Sequence, residues 1–226
     1  MAVSPMRQAF VVCRKDLVTE FRQRTSINAV LLFAVTSVVV VGFGLAGLSL
    51  PADSAIPLLW IVLFFAAFSG LAHVFTEEEE AATSDALRMA AVPEAIFWGK
   101  FLYNLVLLML TALIVVPLYL AAVDLSVPDP LRFTAVVAAG TAALASAATA
   151  VGAIVARARA RGALFGALGF PVVLPLIMMA VVATRRAVGQ DPTDWLWMRE
   201  VGGLAAYAGA ILAASVLVFP FIWESS

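Results

Sequence analysis

Six apolar stretches, each close to 20 residues long, constrain the fold of this 226-residue chain more than any other feature of its sequence. A helix needs about 20 residues to cross the roughly 30 Å hydrocarbon core of a bilayer. A lone strand would leave its backbone unsatisfied in lipid, and barrel strands would alternate in polarity, which these stretches do not. The sequence therefore predicts an all-α integral membrane protein whose six transmembrane helices cover Ile27–Leu48, Pro57–Phe75, Phe101–Val123, Phe133–Ala156, Ala163–Ala183 and Val201–Trp223.

Composition supports this class and excludes others. Hydrophobic residues make up 63% of the chain and charged residues only 13%. Because 14 Lys and Arg are balanced by 15 Asp and Glu, the chain has no bulk electrostatic affinity for nucleic acid. The loops between the spans are short, so we expect residues 1–226 to form a single transmembrane domain without a soluble catalytic domain.

The distribution of basic residues predicts the orientation of the chain. Ten of the 14 lie on one side of the predicted spans, and four lie on the other side: Arg132, Arg185, Arg186 and Arg199. Loops rich in Lys and Arg stay in the cytoplasm. The sequence thus predicts a multi-pass protein of the bacterial cytoplasmic (inner) membrane, with both termini in the cytoplasm.

The segment before the first span has the pattern of an amphipathic helix, over residues 4–24. Ser4 followed by Pro5 is a typical helix start, and apolar residues recur at helical spacing while the basic residues fall elsewhere. The recurring apolar positions are Met6, Phe10, Cys13, Leu17 and Phe21. A helix of this kind, joined directly to a span, is expected to lie in the membrane interface.

The loop between the second and third spans, residues 76–100, begins with four consecutive glutamates. Such a run must face water or a partner, because like charges in a row are costly in a packed core. Thr83 or Ser84 can cap a short helix to Ala90, which Val92 and Pro93 end. A second short helix from Glu94 is expected to lead to Lys100. A solvated acidic loop that merely caps the second span is the alternative.

Residues with catalytic or ligand-binding chemistry are scarce. The chain lacks the phosphate-binding pattern G-x-x-x-x-G-K-[ST], so it is not expected to be an ATPase or another enzyme. His73 is the only histidine, and a lone imidazole at the end of a span is more typical of an interfacial polar residue than of a haem ligand. We therefore predict that this chain alone binds no cofactor or metal. The spans also lack the carboxylates typical of ion-coupled transporters.

Four segments together resemble the haem exporter B family, the permease subunit of the cytochrome c maturation ABC transporter. They are "KDLVTEFRQRTSINAVLLF", "LLWIVLFFAAFSGLAHVF", "DALRMAAVPEAIFWGKFLYNLVLLML" and "GALFGALGFPVVLPLIMMA". The similarity runs over nearly the full length. The chain departs from the family's usual pattern at His73 and Val74, at Ala82 and Thr83, and at Ala91, so details of the loop's turn are open.

The resemblance implies an ABC-2-like exporter permease that forms a homodimer. Its implied partners are a separate ABC ATPase subunit that uses ATP, a haem-handling membrane protein and a small single-span subunit. In related exporters the loop between spans two and three is a coupling helix that docks on the ATPase. By this resemblance the docking residues are Glu77, Glu78, Glu79, Glu80, Asp85, Leu87, Arg88 and Met89.

Three functions remain open at this point. The chain could be the permease for haem export, or for ATP-driven release of a haem-loaded chaperone. It could also be an ABC-type permease for another cargo, such as a drug or a polysaccharide. A membrane scaffold that recruits haem-maturation proteins without transport is the third possibility.

Overall fold

The computed structural model describes residues 4–45, 50–70, 75, 87, 89–155, 161–189 and 195–224. Seven long helices account for most of these residues: α1 (Pro5–Gln23), α2 (Thr25–Gly44), α3 (Ala52–Gly70), α4 (Pro93–Val123), α5 (Pro130–Val155), α6 (Arg161–Val188) and α7 (Leu196–Glu224). Six of them, α2 to α7, are long and apolar enough to cross a membrane. The predicted all-α membrane fold with six spanning helices and a preceding helix is confirmed.

Helix α5 lies at the centre of the bundle, where it packs against α3, α4, α6 and α7. Its many small residues let the neighbouring helices approach closely. At Gly140 the approach is so close that an added Cβ would overlap the ring of Trp60. Trp60 itself is fully buried, and its Nε1 donates a 2.9 Å hydrogen bond to Thr184 Oγ1 on α6. The small side chains of α5 therefore position the large ones of its neighbours.

Contacts at the helix ends establish an up-and-down arrangement. The hydroxyl of Tyr119, near the end of α4, donates a 2.7 Å hydrogen bond to the Ala55 carbonyl at the start of α3. At the opposite end of the bundle, the ring of Phe219 from α7 lies 5.5 Å from the rings of both Phe75 and Phe97. The start of α4 therefore lies beside the end of α7. Helix α1 lies at this same end of the bundle.

The prediction that the helix from Glu94 is separate from the third span is wrong. The structure has one continuous helix, α4, from Pro93 to Val123, instead of a short helix from Glu94 and a span from Phe101. The break predicted at Val92 and Pro93 is confirmed, because Val92 is extended and Pro93 begins α4. After Pro93 the helix continues to Val123 through Gly99, which packs closely against α1, and through the internal Pro117.

Several sequence predictions fall outside the described residues. These residues are His73, Glu77, Glu78, Glu79, Glu80, Asp85 and Arg88, together with the predicted cap at Thr83 or Ser84. Of the short helix predicted to end at Ala90, the structure describes Leu87, Met89 and Ala90, and all three have helical geometry.

Candidate functional site

Helix α1 packs along the part of α4 that follows the acidic loop. Gly99 of α4 makes this possible, because a Cβ there would come within 2.7 Å of the Val12 side chain and 2.9 Å of the Ala9 carbonyl oxygen. The buried face of α1 consists of Ala9, Val12, Cys13, Asp16 and Glu20. We call the contact between this face and residues 92–103 the α1–α4 seam.

A buried ion pair lies in the middle of the seam. Lys100 Nζ lies 3.0 Å from Asp16 Oδ2, and the side chains of Lys100 and Asp16 are only 2% and 9% exposed. At this distance the two opposite charges are in direct contact. The other oxygen, Oδ1, lies 3.1 Å from the half-exposed ammonium of Lys15. Two cations thus compensate a carboxylate that has little access to water.

Glu20 joins three helices at the end of the seam. Its Oε2 accepts a 3.2 Å hydrogen bond from the Tyr103 hydroxyl of α4, and its Oε1 accepts a 2.7 Å hydrogen bond from the Ile27 backbone N–H. Ile27 lies in the first turn of α2, where backbone N–H groups have no partner within the helix. Between α1 and α2, Arg24 turns the chain with a left-handed backbone (φ 56°). Glu20 therefore acts as a cap that fixes α2 to both α1 and α4.

The start of α4 is also tied to α1. The backbone N–H of Val92 donates a 3.1 Å hydrogen bond to Gln8 Oε1. Val92 is the last residue before α4, and Pro93 occupies the first helical position, where a missing N–H costs nothing. Gln8 thus holds the point at which the loop enters the helix.

The structure separates the two predicted apolar docking residues. Leu87 is partly buried and packs against the chain's own hydrophobic core. Met89, by contrast, is 85% exposed. The two side chains therefore lie in different surroundings, and only Met89 presents most of its surface outside the chain.

Sequence reasoning missed the polar residues of the seam. Asp16 and Glu20 lie four residues apart, so they share one face of α1, and this spacing was the available signal. Their partners on α4, Lys100 and Tyr103, are more than 80 residues away in the chain, which the pattern within α1 does not indicate. Next to Tyr103 on α4, Asn104 also bonds to a neighbouring helix, because its Nδ2 donates to Thr149 Oγ1 of α5 at 2.9 Å.

Cys13 is the thiol of the seam. Burial raises the pKa of the Cys13 thiol above its usual value of 9.0, and the nearby negative charge of Asp16 raises it further. A thiol in this environment stays protonated and unreactive near neutral pH. Within the described part of the chain, no three His, Cys, Asp or Glu side chains are grouped as metal ligands would be.

The fold and the seam define the class of the protein. It is a multi-pass, all-α membrane protein. The start of α4, which follows the acidic loop, is fixed to α1 by buried charges. The family of CcmB proteins matches residues 7–226, so the chain belongs to that family. It is thus a membrane component of the haem exporter for cytochrome c maturation. No curated protein matches the chain.

Proposed function

We propose that the chain is the permease subunit of an ATP-driven ABC transporter and that loop 76–100 passes the movement of a separate ATPase to the spans. The observation that carries this proposal is the α1–α4 seam. The loop leads directly into α4, and α4 is fixed there to α1 by the buried pair of Lys100 and Asp16. A buried ion pair resists separation, because either charge alone would be poorly solvated.

The seam gives a displaced loop a defined path into the bundle. A shift of α4 must move α1 with it, and through Glu20 it must also move the start of α2. Packed helices of this kind move as rigid bodies rather than deforming continuously. In this proposal the ATPase therefore acts on three helices at once.

The remaining parts of the assembly follow from the family and from charge. We propose the bacterial inner membrane as the location, with both termini in the cytoplasm, because ten of the 14 Lys and Arg lie on the loop's side of the spans predicted from the sequence. A homodimer, a haem-handling membrane protein and a single-span subunit complete the proposed complex. In it, the exposed Met89 and the glutamates Glu77 to Glu80 face the ATPase.

The test compares ATPase binding by three variants. Met89→Asp places a carboxylate where the proposal has an apolar contact, and burial of such a side chain contributes roughly 1.5 to 3 kcal/mol. We expect it to lower recovery of the ATPase in pull-downs from detergent at both low and high salt. Reversal of Glu78 and Glu79 to Lys should lower recovery mainly at low salt, because exposed charges are screened. Leu131→Asp is the control, since Leu131 is 78% exposed at the other end of the bundle.

ATP turnover and cytochrome c production are measured on the same variants. Unchanged ATPase recovery and unchanged turnover in both loop variants would refute the docking role and leave the loop as a solvated cap. Leu87→Asp is less informative, because Leu87 also packs against the chain's own core. If the loop variants lower ATP turnover by the complex but leave cytochrome c production unchanged, transport of another cargo is indicated. If the complex forms without stimulated turnover, the scaffold alternative is favoured.

A further inference from the structure

The charges of α1 are sorted between its two sides. Both carboxylates, Asp16 and Glu20, point into the seam and are buried. Arg7, Arg14 and Arg22 are exposed on the outer side. Among the described residues, the structure gives these three arginines no carboxylate within ion-pair distance. The outer side of α1 is therefore strongly cationic, although the helix as a whole carries two acids.

An apolar stripe lies between the seam and the arginines. It consists of Met6, Phe10, Leu17 and Phe21, which fall within a narrow sector at about 100° per residue. Met6 is 80% exposed and Phe10 is 65% exposed, so the bundle does not cover the stripe. Leu17 is partly buried at the edge of the core. The structure divides the apolar face predicted from the sequence, because Cys13 lies in the seam whereas the other four residues form the exposed stripe.

We propose that the outer side of α1 binds anionic lipid, with the stripe in the hydrocarbon edge and Arg7, Arg14 and Arg22 on the headgroup phosphates. One partner must satisfy an exposed apolar stripe together with the arginines on the same outer side of the helix, of which Arg7 and Arg14 lie directly beside the stripe. An anionic leaflet provides both at the same depth. The position of α1 agrees with this, because α1 ends one residue before α2, which is long and apolar enough to span the membrane.

The opposite end of the bundle provides a contrast. There Arg132 pairs with Asp129 at 2.8 Å, Arg185 with Asp53 at 3.2 Å, and Arg186 with Glu200 at 3.6 Å. Those arginines have carboxylate partners within the protein. The arginines on the outer side of α1 are instead matched to an external anion. This inference does not depend on the ATPase or on the cargo.

The test measures lipid retained by the purified full-length chain. The protein is incubated in mild detergent with equal amounts of phosphatidylglycerol and phosphatidylcholine, and the bound lipids are quantified by mass spectrometry. We expect preferential retention of phosphatidylglycerol. The triple variant R7Q/R14Q/R22Q should reduce that retention at least about five-fold, the factor for one basic residue near an anionic surface. Arg199→Gln, an exposed arginine at the other end, is the control and should change nothing.

Equal retention of the two lipids by the unmodified chain would overturn the proposal, as would preference for phosphatidylglycerol that survives the triple variant. Gel filtration and circular dichroism confirm that the variant is folded.

A second measurement is independent of the arginine variant. Nitroxide labels at Met6→Cys and Thr19→Cys, in a Cys13→Ala chain in phosphatidylglycerol-containing nanodiscs, report contact with oxygen or with a nickel chelate. The label at Met6 should have more contact with oxygen, and the label at Thr19 should have more contact with the nickel chelate. Equal contact of both labels with the nickel chelate would place α1 in water and refute the proposal.

Discussion

The buried pair of Asp16 and Lys100 permits a sharp test of the seam. Asp16→Leu removes the carboxylate from an ammonium that is only 2% exposed. Breaking a buried pair costs about 3 to 5 kcal/mol, and we expect a loss of at least about 3 kcal/mol. Lys100→Met should cost less, since Asp16 keeps its contact with Lys15. The double variant should approach the stability of the unmodified chain, because an apolar pair replaces two charges.

The assay is thermal unfolding in detergent, read as a double-mutant cycle. A loss of about 3 kcal/mol in a chain of this length corresponds to a fall in Tm of about 6 to 12 °C. We expect a coupling energy of at least about 2 kcal/mol between the two positions, as is typical of residues in one ionic contact. If the double variant is as unstable as the sum of the single variants, the pair does not hold the seam and the reasoning is refuted.

Three further predictions concern packing, reactivity and topology. Gly99→Ala should destabilise the chain by about 1 to 3 kcal/mol, because its Cβ would overlap Val12, whereas Gly202→Ala, which has open space around it, should be neutral or stabilising in the same thermal assay. Cys13 should react slowly with a thiol reagent at pH 8 and gain reactivity only above its usual pKa of 9.0, because its raised pKa leaves less thiolate at any given pH; a rate equal to that of an exposed cysteine would contradict this. Ser54→Cys should react with an impermeant reagent added outside sealed cells, and reaction only after lysis would reverse the orientation.

Hydropathy was sufficient to predict the spanning helices, because burial in lipid requires long apolar segments whatever their packing. Hydropathy predicted the residues at which the helices begin and end less accurately. The predicted start of the fourth span at Phe133 is three residues late, because Asp129 caps the helix: its Oδ1 accepts the backbone N–H groups of Leu131 and Arg132 at 3.1 Å. Asp followed by Pro is a local signal for such a start, and capping rather than hydropathy decides the boundary.

The seam was beyond sequence reasoning for a different reason. The apolar pattern of α1 predicted a face of Met6, Phe10, Cys13, Leu17 and Phe21, but of these the structure turns Cys13 toward α4 and leaves most of the others exposed. The face that packs on α4 combines small residues with Asp16 and Glu20, so its burial depends on partners that only the fold supplies. Lys100 likewise lies beside an apolar segment, and its role follows only from the position of Asp16 across the seam.

Because α4 is long, a movement at the seam can reach the opposite end of the bundle. With 31 residues, α4 is about 46 Å long at 1.5 Å per residue. Its first third is held by α1, and near its far end the Tyr119 hydroxyl is bonded to the start of α3. A helix fixed at both ends transmits a tilt rather than absorbing it, because a break would expose unpaired backbone groups. Movement of the loop at one end of the bundle is therefore expected to reach α3 at the other end, with α1 deciding how much of that movement is shared by α2.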